Sequence, residues 1–338
     1  METQAFKPEL ADLKKAAQLI DDGELVAFPT ETVYGLGADA TNPAAVKKVF
    51  EAKGRPADNP LIVTVADPKQ VADFAQVSAA AQVLMDHFWP GSLTIILPTK
   101  PKHLDDVVTG GLPTAAFRLP DNQATQELIK LAGVPLVGPS ANTSGKPSPT
   151  TAAHVWHDMD HKIAGIIDDG PTTVGVESTV VDLSVSPATI LRTGAVTEEE
   201  LEQVLDEPVI DVTQPTAVDD AVHPKAPGMK YRHYAPDKPV VMFDPLDAGE
   251  LAKALQGSDA VMALDDTLAQ LPAGQTKTWS LGKDYQSASE QLFAGLRYFD
   301  DQGDVQRIYV ERLPEIGLGR AYNNRLAKAS GNQFFQAD

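Results

Sequence analysis

The sequence predicts an α/β protein in two domains joined by a long extended linker, and three observations predict it. Short apolar runs alternate with amphipathic helical patterns through residues 1–205, which suits a twisted mixed sheet covered by helices. Residues 206–236 lose that periodicity and are punctuated by Pro208, Pro215, Pro224, Pro227 and Pro236, as in an extended linker or lid. From 237 to 338 the rhythm becomes βαβ, a small doubly wound module.

In chain order, an amphipathic helix is expected at 10–21 and a buried strand at 25–28. Asn42 followed by Pro43 reads as a helix cap with proline in the first turn, opening a helix that ends near Ala52. Strands follow at 61–65 and 93–97, separated by helical stretches at 68–76 and 79–88 and a Trp89-Pro90-Gly91 turn. Further strands are expected near 114–119, 134–138, 163–167, 177–183 and 188–192, with helices at 121–132, 150–157 and 197–205. The second domain reads as strands at 240–243, 260–264, 277–281 and 307–310, with helices at 246–256, 285–301 and 319–330.

Composition narrows the function. A chain without cysteine has no disulfide, thiol nucleophile or thiolate metal site. No apolar run approaches the length of a membrane span, and Met1-Glu2-Thr3-Gln4 opens a polar segment, so a cytoplasmic protein is expected. Net charge is −19, with 28 Lys and Arg against 47 Asp and Glu. Stable nucleic-acid binding needs a basic footprint that displaces counterions, so none is expected here. The one basic island is 223–233, at the end of the linker. There is no Walker A loop, no G-x-G-x-x-G, no G-x-S-x-G elbow and no metal-binding histidine spacing.

The remaining chemistry sits on loops at strand ends. Pro29-Thr30-Glu31-Thr32-Val33-Tyr34-Gly35-Leu36-Gly37 follows a buried strand and reads as a loop offering hydroxyls and bare backbone to a ligand. Lys53 and Arg55 flank Gly54 ahead of Pro56; in an extended segment their cations point the same way and suit a polyphosphate. Arg118 and Arg192 lie on expected strands, where an arginine takes a carboxylate or phosphate partner. Ser140 and Asn142 share one face of a loop bracketed by Gly138-Pro139 and Gly145.

With Glu177-Ser178-Thr179-Val180-Val181-Asp182, these motifs resemble the L-threonylcarbamoyladenylate synthase family, a YrdC-like fold, in its long two-domain form. Tyr231-Arg232-His233-Tyr234-Ala235-Pro236 resembles that form's linker signature. Gly317-Leu318-Gly319-Arg320 with Asn324-Arg325-Leu326 resembles its last helix. The carbamoyltransferases that share the fold carry cysteine zinc fingers, which this chain cannot form. Two departures stand out: Thr64 where family members often carry histidine, and Ala226-Pro227-Gly228 where Ser-Pro-Gly is usual.

The resemblance implies a YrdC-like catalytic domain at 1–205, a linker or lid at 206–236 and a small Rossmann-like domain at 237–338. It implies the reaction of L-threonine, bicarbonate and ATP to threonylcarbamoyl-AMP and pyrophosphate. The product would serve N6-threonylcarbamoyladenosine formation through a tRNA threonylcarbamoyltransferase. Lys53 and Arg55 would be catalytic; Thr32, Thr64, Arg118, Ser140 and Ser178 would hold threonine. Arg55, Asn59, Thr114, Asn142, Ser148, Arg192 and Tyr234 would hold ATP, with Mg²⁺ carried by the nucleotide and no metal site of the protein's own. An RNA-binding module without catalysis is the competing expectation, and the acidic charge weighs against it.

Overall fold

Eleven strands of the first domain form one mixed sheet. In chain order they are β1 (Gln4–Phe6), β2 (Val26–Phe28), β3 (Gly35–Asp39), β4 (Ile62–Thr64), β5 (Leu93–Pro98) and β6 (Thr114–Arg118), followed by β7 (Leu136–Val137), β8 (Gly165–Ile167), β9 (Thr179–Asp182), β10 (Thr189–Arg192) and β11 (Ile210–Asp211). Their spatial order is β1-β8-β2-β3-β7-β4-β6-β5-β9-β10-β11. The second sheet is all parallel: β12 (Val240–Phe243), β13 (Asp259–Ala263), β14 (Lys277–Ser280) and β15 (Arg307–Glu311), in the order β12-β15-β13-β14. The computed structural model describes residues 2–57, 59–101, 103–213, 233–272 and 276–336. Most of the linker, 214–232, therefore lies outside the described residues. Among the described residues no helix is long and apolar enough to cross a membrane.

The helices follow their sequence signals closely. Asn42 caps the helix Pro43–Lys53 by accepting from the Ala44 and Ala45 amides. Thr197 and Glu200 form a reciprocal capping box on Glu198–Leu205, and Asp284 and Ser287 do so on Tyr285–Asp300.

Three strands depart from expectation. β1 pairs parallel with β8, a long-range contact that three residues of mixed polarity do not announce. β11 adds to β10 beyond the expected domain end at 205, because Ile210 pairs with Thr189 across the sheet. β3 is the largest departure. The Thr30 hydroxyl accepts from the Thr32 and Val33 amides and donates to the Val33 carbonyl, closing a tight turn that sends Gly35–Asp39 back antiparallel to β2. Gly35 is required there because the Phe28 ring lies against it: a Cβ would sit 2.6 Å from Phe28 Cζ. The bare backbone of Gly35 thus packs inside the sheet against Phe28 and also borders a small pocket.

The two domains share a core. Val33, Val176 and Tyr234 pack in the same apolar cluster as Leu292, Phe293, Tyr322 and Leu326 of the second domain. Two buried ion pairs cross the same boundary. Arg297 forks onto Asp158, with Nη1 to Oδ1 and Nη2 to Oδ2 both at 2.9 Å, and Arg325 Nε lies 2.8 Å from Glu177 Oε2. Burial pushes the Asp158 carboxyl up, but Arg297 outweighs it and holds its pKa down to about 2. That folded-state value is below the ordinary 3.8, so the stabilisation is complete above 3.8 and is lost as pH falls through about 2. Replacing Arg297 with Met, which strands a buried carboxylate, is expected to cost about 3–5 kcal/mol in urea unfolding and to weaken with acidification. A loss well under 1 kcal/mol would mean that Asp158 finds water or another partner.

Candidate active site

The site lies where the first sheet meets the second domain. Thr64 and Arg118 end the parallel neighbours β4 and β6 and stand opposite each other in register, at strand ends where open α/β sheets take ligands. They border a small inner pocket with Phe28, Thr30, Val33, Ile62 and Gly138. Arg118 also lines a larger cleft that encloses about 670 Å³ including its mouth, so one guanidinium stands at the junction of both spaces. Glu31 holds it by an ion pair of 2.7 Å and is itself held by the Ser92 hydroxyl and the Asp121 amide. Arg118 Nε donates to the Gly91 carbonyl at 3.3 Å.

Lys53 is the last residue of its helix. Gly54, at φ 63°, ends that helix in the left-handed region, and the Gly54 and Arg55 amides return to the Glu51 and Phe50 carbonyls. The two cations therefore reach the cleft through a helix C-cap, not along an extended segment as the spacing suggested. Lys53 is buried; its ammonium donates to the Ser140 carbonyl and, at 2.8 Å, to the Asn142 carbonyl. Burial first, then the neighbouring Arg55 charge, drives its pKa down to about 7.

Of the expected residues, Lys53, Arg55, Arg118, Ser140, Asn142, Ser148, Arg192 and Tyr234 line the larger cleft and Thr64 the inner pocket. Ser178 stands just behind Arg192, whose Nε and Nη2 donate to its carbonyl and hydroxyl at 2.9 and 3.0 Å. The Thr94 hydroxyl lies 2.8 Å from the Ser178 hydroxyl. Thr32 is fully buried against the Thr30 hydroxyl at 3.0 Å, and Thr30, not Thr32, borders the inner pocket. Asn59 and Thr114 are buried and border neither space. The Asn59 side-chain amide has no hydrogen-bond partner among the described residues. Of the linker residues, His233 and Tyr234 reach the cleft; the basic Lys225, Lys230 and Arg232 lie outside the described residues.

Sequence reasoning passed over Glu31, Glu177 and Arg325. The first two were visible as single acids inside the quoted motifs, and both are buried, a placement that demands a partner. Glu177 is buried, accepts from the Ser148 hydroxyl at 2.5 Å and pairs with Arg325. Tyr234 has a positive φ of 64°, stacks on Phe293 and lies under the Arg325 guanidinium. Burial, then the Glu177 charge, pushes its hydroxyl up to about 12, so it is a neutral donor at working pH.

Five cations, Lys53, Arg55, Arg118, Lys146 and Arg192, thus border the cleft against a single carboxylate, Glu177, among the described residues. A protein of net charge −19 that gathers so many cations in one buried place is built to take a strongly anionic ligand. Fold and cleft together define an α/β enzyme acting on an anionic small molecule. A family model described as "Telomere recombination" matches residues 18–194, and one described as "Threonylcarbamoyl-AMP synthase, C-terminal domain" matches 196–331. The threonylcarbamoyl-AMP synthase of Bacillus subtilis is 43% identical over 332 residues, covering 96% of this chain and 94% of its own. That of Pyrococcus abyssi is 44% identical over 328 residues, covering 94% of each. The crystal structure of P. abyssi Sua5 complexed with L-threonine superposes with a TM-score of 0.89 at 41% identity, over 100% of both chains. The chain belongs to the two-domain threonylcarbamoyl-AMP synthase family.

Proposed function

We propose that the protein is a nucleotidyltransferase that converts L-threonine, bicarbonate and ATP to threonylcarbamoyl-AMP and pyrophosphate. The observation that carries this reading is Arg118 standing between a small hydroxyl-lined pocket and a cationic cleft. An amino acid seated in the inner pocket presents its carboxylate to Arg118 and its side-chain hydroxyl to Thr64. Ser140 and Ser178 stay close by. The nucleotide lies in the outer cleft, with its phosphates against Lys53, Arg55 and Arg192 and its outer side against Asn142, Ser148 and Tyr234. Asn59 and Thr114 support the nucleotide side from behind the wall. The first domain carries the reaction, and the linker's His233 and Tyr234 close over it.

The chemistry needs alignment and charge neutralisation more than a covalent nucleophile. The threonine amine and bicarbonate form a carbamate and release water. A carbamate oxygen then attacks the α-phosphorus, the bond to the bridging oxygen breaks, and pyrophosphate leaves with the electron pair. Lys53, Arg55 and Arg192 offset the charge that builds on the phosphate oxygens. Mg²⁺ would arrive on the nucleotide: among the described residues the cleft has one carboxylate, Glu177, and it is engaged by Ser148 and Arg325, so phosphates and water would supply the ion's ligands. The mixed anhydride is handed on to a tRNA threonylcarbamoyltransferase, and the acidic surface supports release over retention on RNA.

Mass spectrometry of products from the purified protein with threonine, bicarbonate and ATP tests this. Absence of both threonylcarbamoyl-AMP and pyrophosphate would end the proposal. Arg55→Ala is expected to weaken ATP use by about 1.5–3 kcal/mol, the worth of one charge-assisted phosphate contact, while threonine binding without nucleotide changes little. Equal weakening of both ligands would make Arg55 a scaffold residue.

A further inference from the structure

Glu177 poses an electrostatic problem that the second domain helps to solve. It is buried on the wall of a cleft otherwise lined with cations. Left alone, it would repel the anion those cations await. Its partner is not a neighbour in the first domain but Arg325, fully buried on the second domain's last helix, Leu318–Ser330. Arg325 also reaches the Glu177 backbone carbonyl at 3.4 Å, and its guanidinium lies 5.8 Å from the Tyr234 ring centroid. The other Glu177 oxygen is taken by the Ser148 hydroxyl at 2.5 Å. Burial raises the Glu177 pKa, but Arg325 and then Arg192 outweigh it, so the group stays ionised and keeps hold of Ser148.

A second arm from the same domain grips the same loop. Arg297 donates to the Pro147 carbonyl at 3.1 Å and forks onto Asp158, whose Oδ2 accepts the Thr143 amide at 3.0 Å. Lys146 reaches Asp300 at 3.2 Å, and the Ala235 amide donates to the Gly145 carbonyl. The segment 142–148, which supplies Asn142, Ser144, Gly145, Lys146 and Ser148 to the cleft, is thereby held by Arg297 at Pro147 and, through Asp158 and Glu177, by Arg297 and Arg325 at Thr143 and Ser148.

We infer that Arg325 is a positioning residue for the nucleotide, acting through Glu177 and Ser148, and that the second domain's work in the reaction is to complete this wall. The inference rests on the nucleotide reading of the cleft. Arg325 touches no reacting atom; it cancels a misplaced negative charge and fixes the hydroxyl that faces the ligand. A purely structural arginine would move stability and both substrates together. A positioning arginine moves the nucleotide selectively, and removing the charge that it cancels restores what was lost.

The test uses the full chain and four variants: R325M, R325K, E177Q and the double variant R325M/E177Q. Calorimetric titration with the non-hydrolysable analogue α,β-methylene-ATP gives nucleotide affinity, titration with L-threonine gives the other ligand, and thermal melting gives stability. R325M is expected to weaken the analogue about 30-fold, as expected when a buried charge loses its partner, with threonine affinity within about twofold. R325M/E177Q is expected to recover most of that loss, because the stranded charge has gone. Should R325M fail to fold, R325K carries the comparison: it keeps the charge without the second contact to the Glu177 carbonyl and is expected to lose about tenfold for the analogue. Equal losses for both ligands, or analogue affinity unchanged in R325M and R325K, would overturn the inference. So would a double variant that regains melting temperature but not nucleotide affinity. An unaltered chain that binds no nucleotide overturns the reading of the cleft and the inference with it.

Discussion

Replacing Lys53 with Met is expected to lower kcat/KM for ATP by about 10³, since two hydrogen bonds from a charged group, each worth about 1.5–3 kcal/mol, are lost along with the charge. The Lys53 ammonium binds the Ser140 and Asn142 carbonyls, so the substitution also frees the loop that carries both residues. Its pH signature separates charge from scaffold. In the free enzyme Lys53 releases its proton through about pH 7, whereas the unfolded chain keeps it until about 10.5. The unfolded state therefore binds more protons across that window, and this group makes the free protein more stable as pH rises from about 7 to 10.5. Nucleotide capture runs the other way, because it needs the charged form. In kcat/KM, which reports the free enzyme, ATP use is expected to fall above about pH 7 with a slope that Lys53→Arg removes. Saturating ATP surrounds the ammonium with phosphate charge and raises its pKa, so kcat should hold to higher pH. A profile for ATP that stays flat from pH 6 to 9, on a scale where the ordinary lysine value is 10.5, would show that Lys53 is not the group that meets the phosphates.

Valine is expected to be rejected by roughly 10⁴ relative to threonine in kcat/KM, the discrimination reached by a site that hydrogen-bonds a substrate hydroxyl and is left unpaired by the analogue. The inner pocket has the parts: the Thr64 hydroxyl among Phe28, Val33 and Ile62. Serine keeps the hydroxyl and loses one methyl, which costs only about 10- to 200-fold in an apolar pocket. Thr64→Val should therefore narrow the gap between threonine and valine more than it changes the use of serine relative to threonine. Pyrophosphate release with each amino acid at fixed ATP measures all three; valine turning over as well as serine would place the hydroxyl in water instead.

The helices were legible because each carries its own instructions: Asn42 and Pro43 to begin one, Thr197 and Glu200 to cap another, an apolar face to bury. That Lys53, Arg55, Arg118, Ser140, Asn142 and Arg192 border one cleft fits their pattern in the sequence, cations and small polar residues at the ends of elements beside glycine and proline. β1 and β11 were not legible, since their two or three residues of mixed polarity carry no apolar run and owe their strand form to pairing with β8 and β10. Nor was β3, because its glycines read as a loop until the Phe28 ring is seen lying across them. The path of Lys53 and Arg55 into the cleft was also misjudged: periodicity does not say whether Gly54 breaks a helix or caps it, and its left-handed φ of 63° decides.

By itself, the sequence determined the alternation of strands and helices, the absence of thiol chemistry, the acidic surface and the residue types available for a polyphosphate and an amino acid. Those follow from composition and short-range pattern, which need no partner to be read. The tertiary structure alone decided which charges face one another. Glu31 meets Arg118 across 87 residues and Glu177 meets Arg325 across 148, and those two meetings offset one cation and the one described carboxylate of the cleft wall. The physical reason is that a buried ion is tolerable only beside its counter-ion, and the counter-ion's distance in sequence does not enter its energy; only its distance in space does.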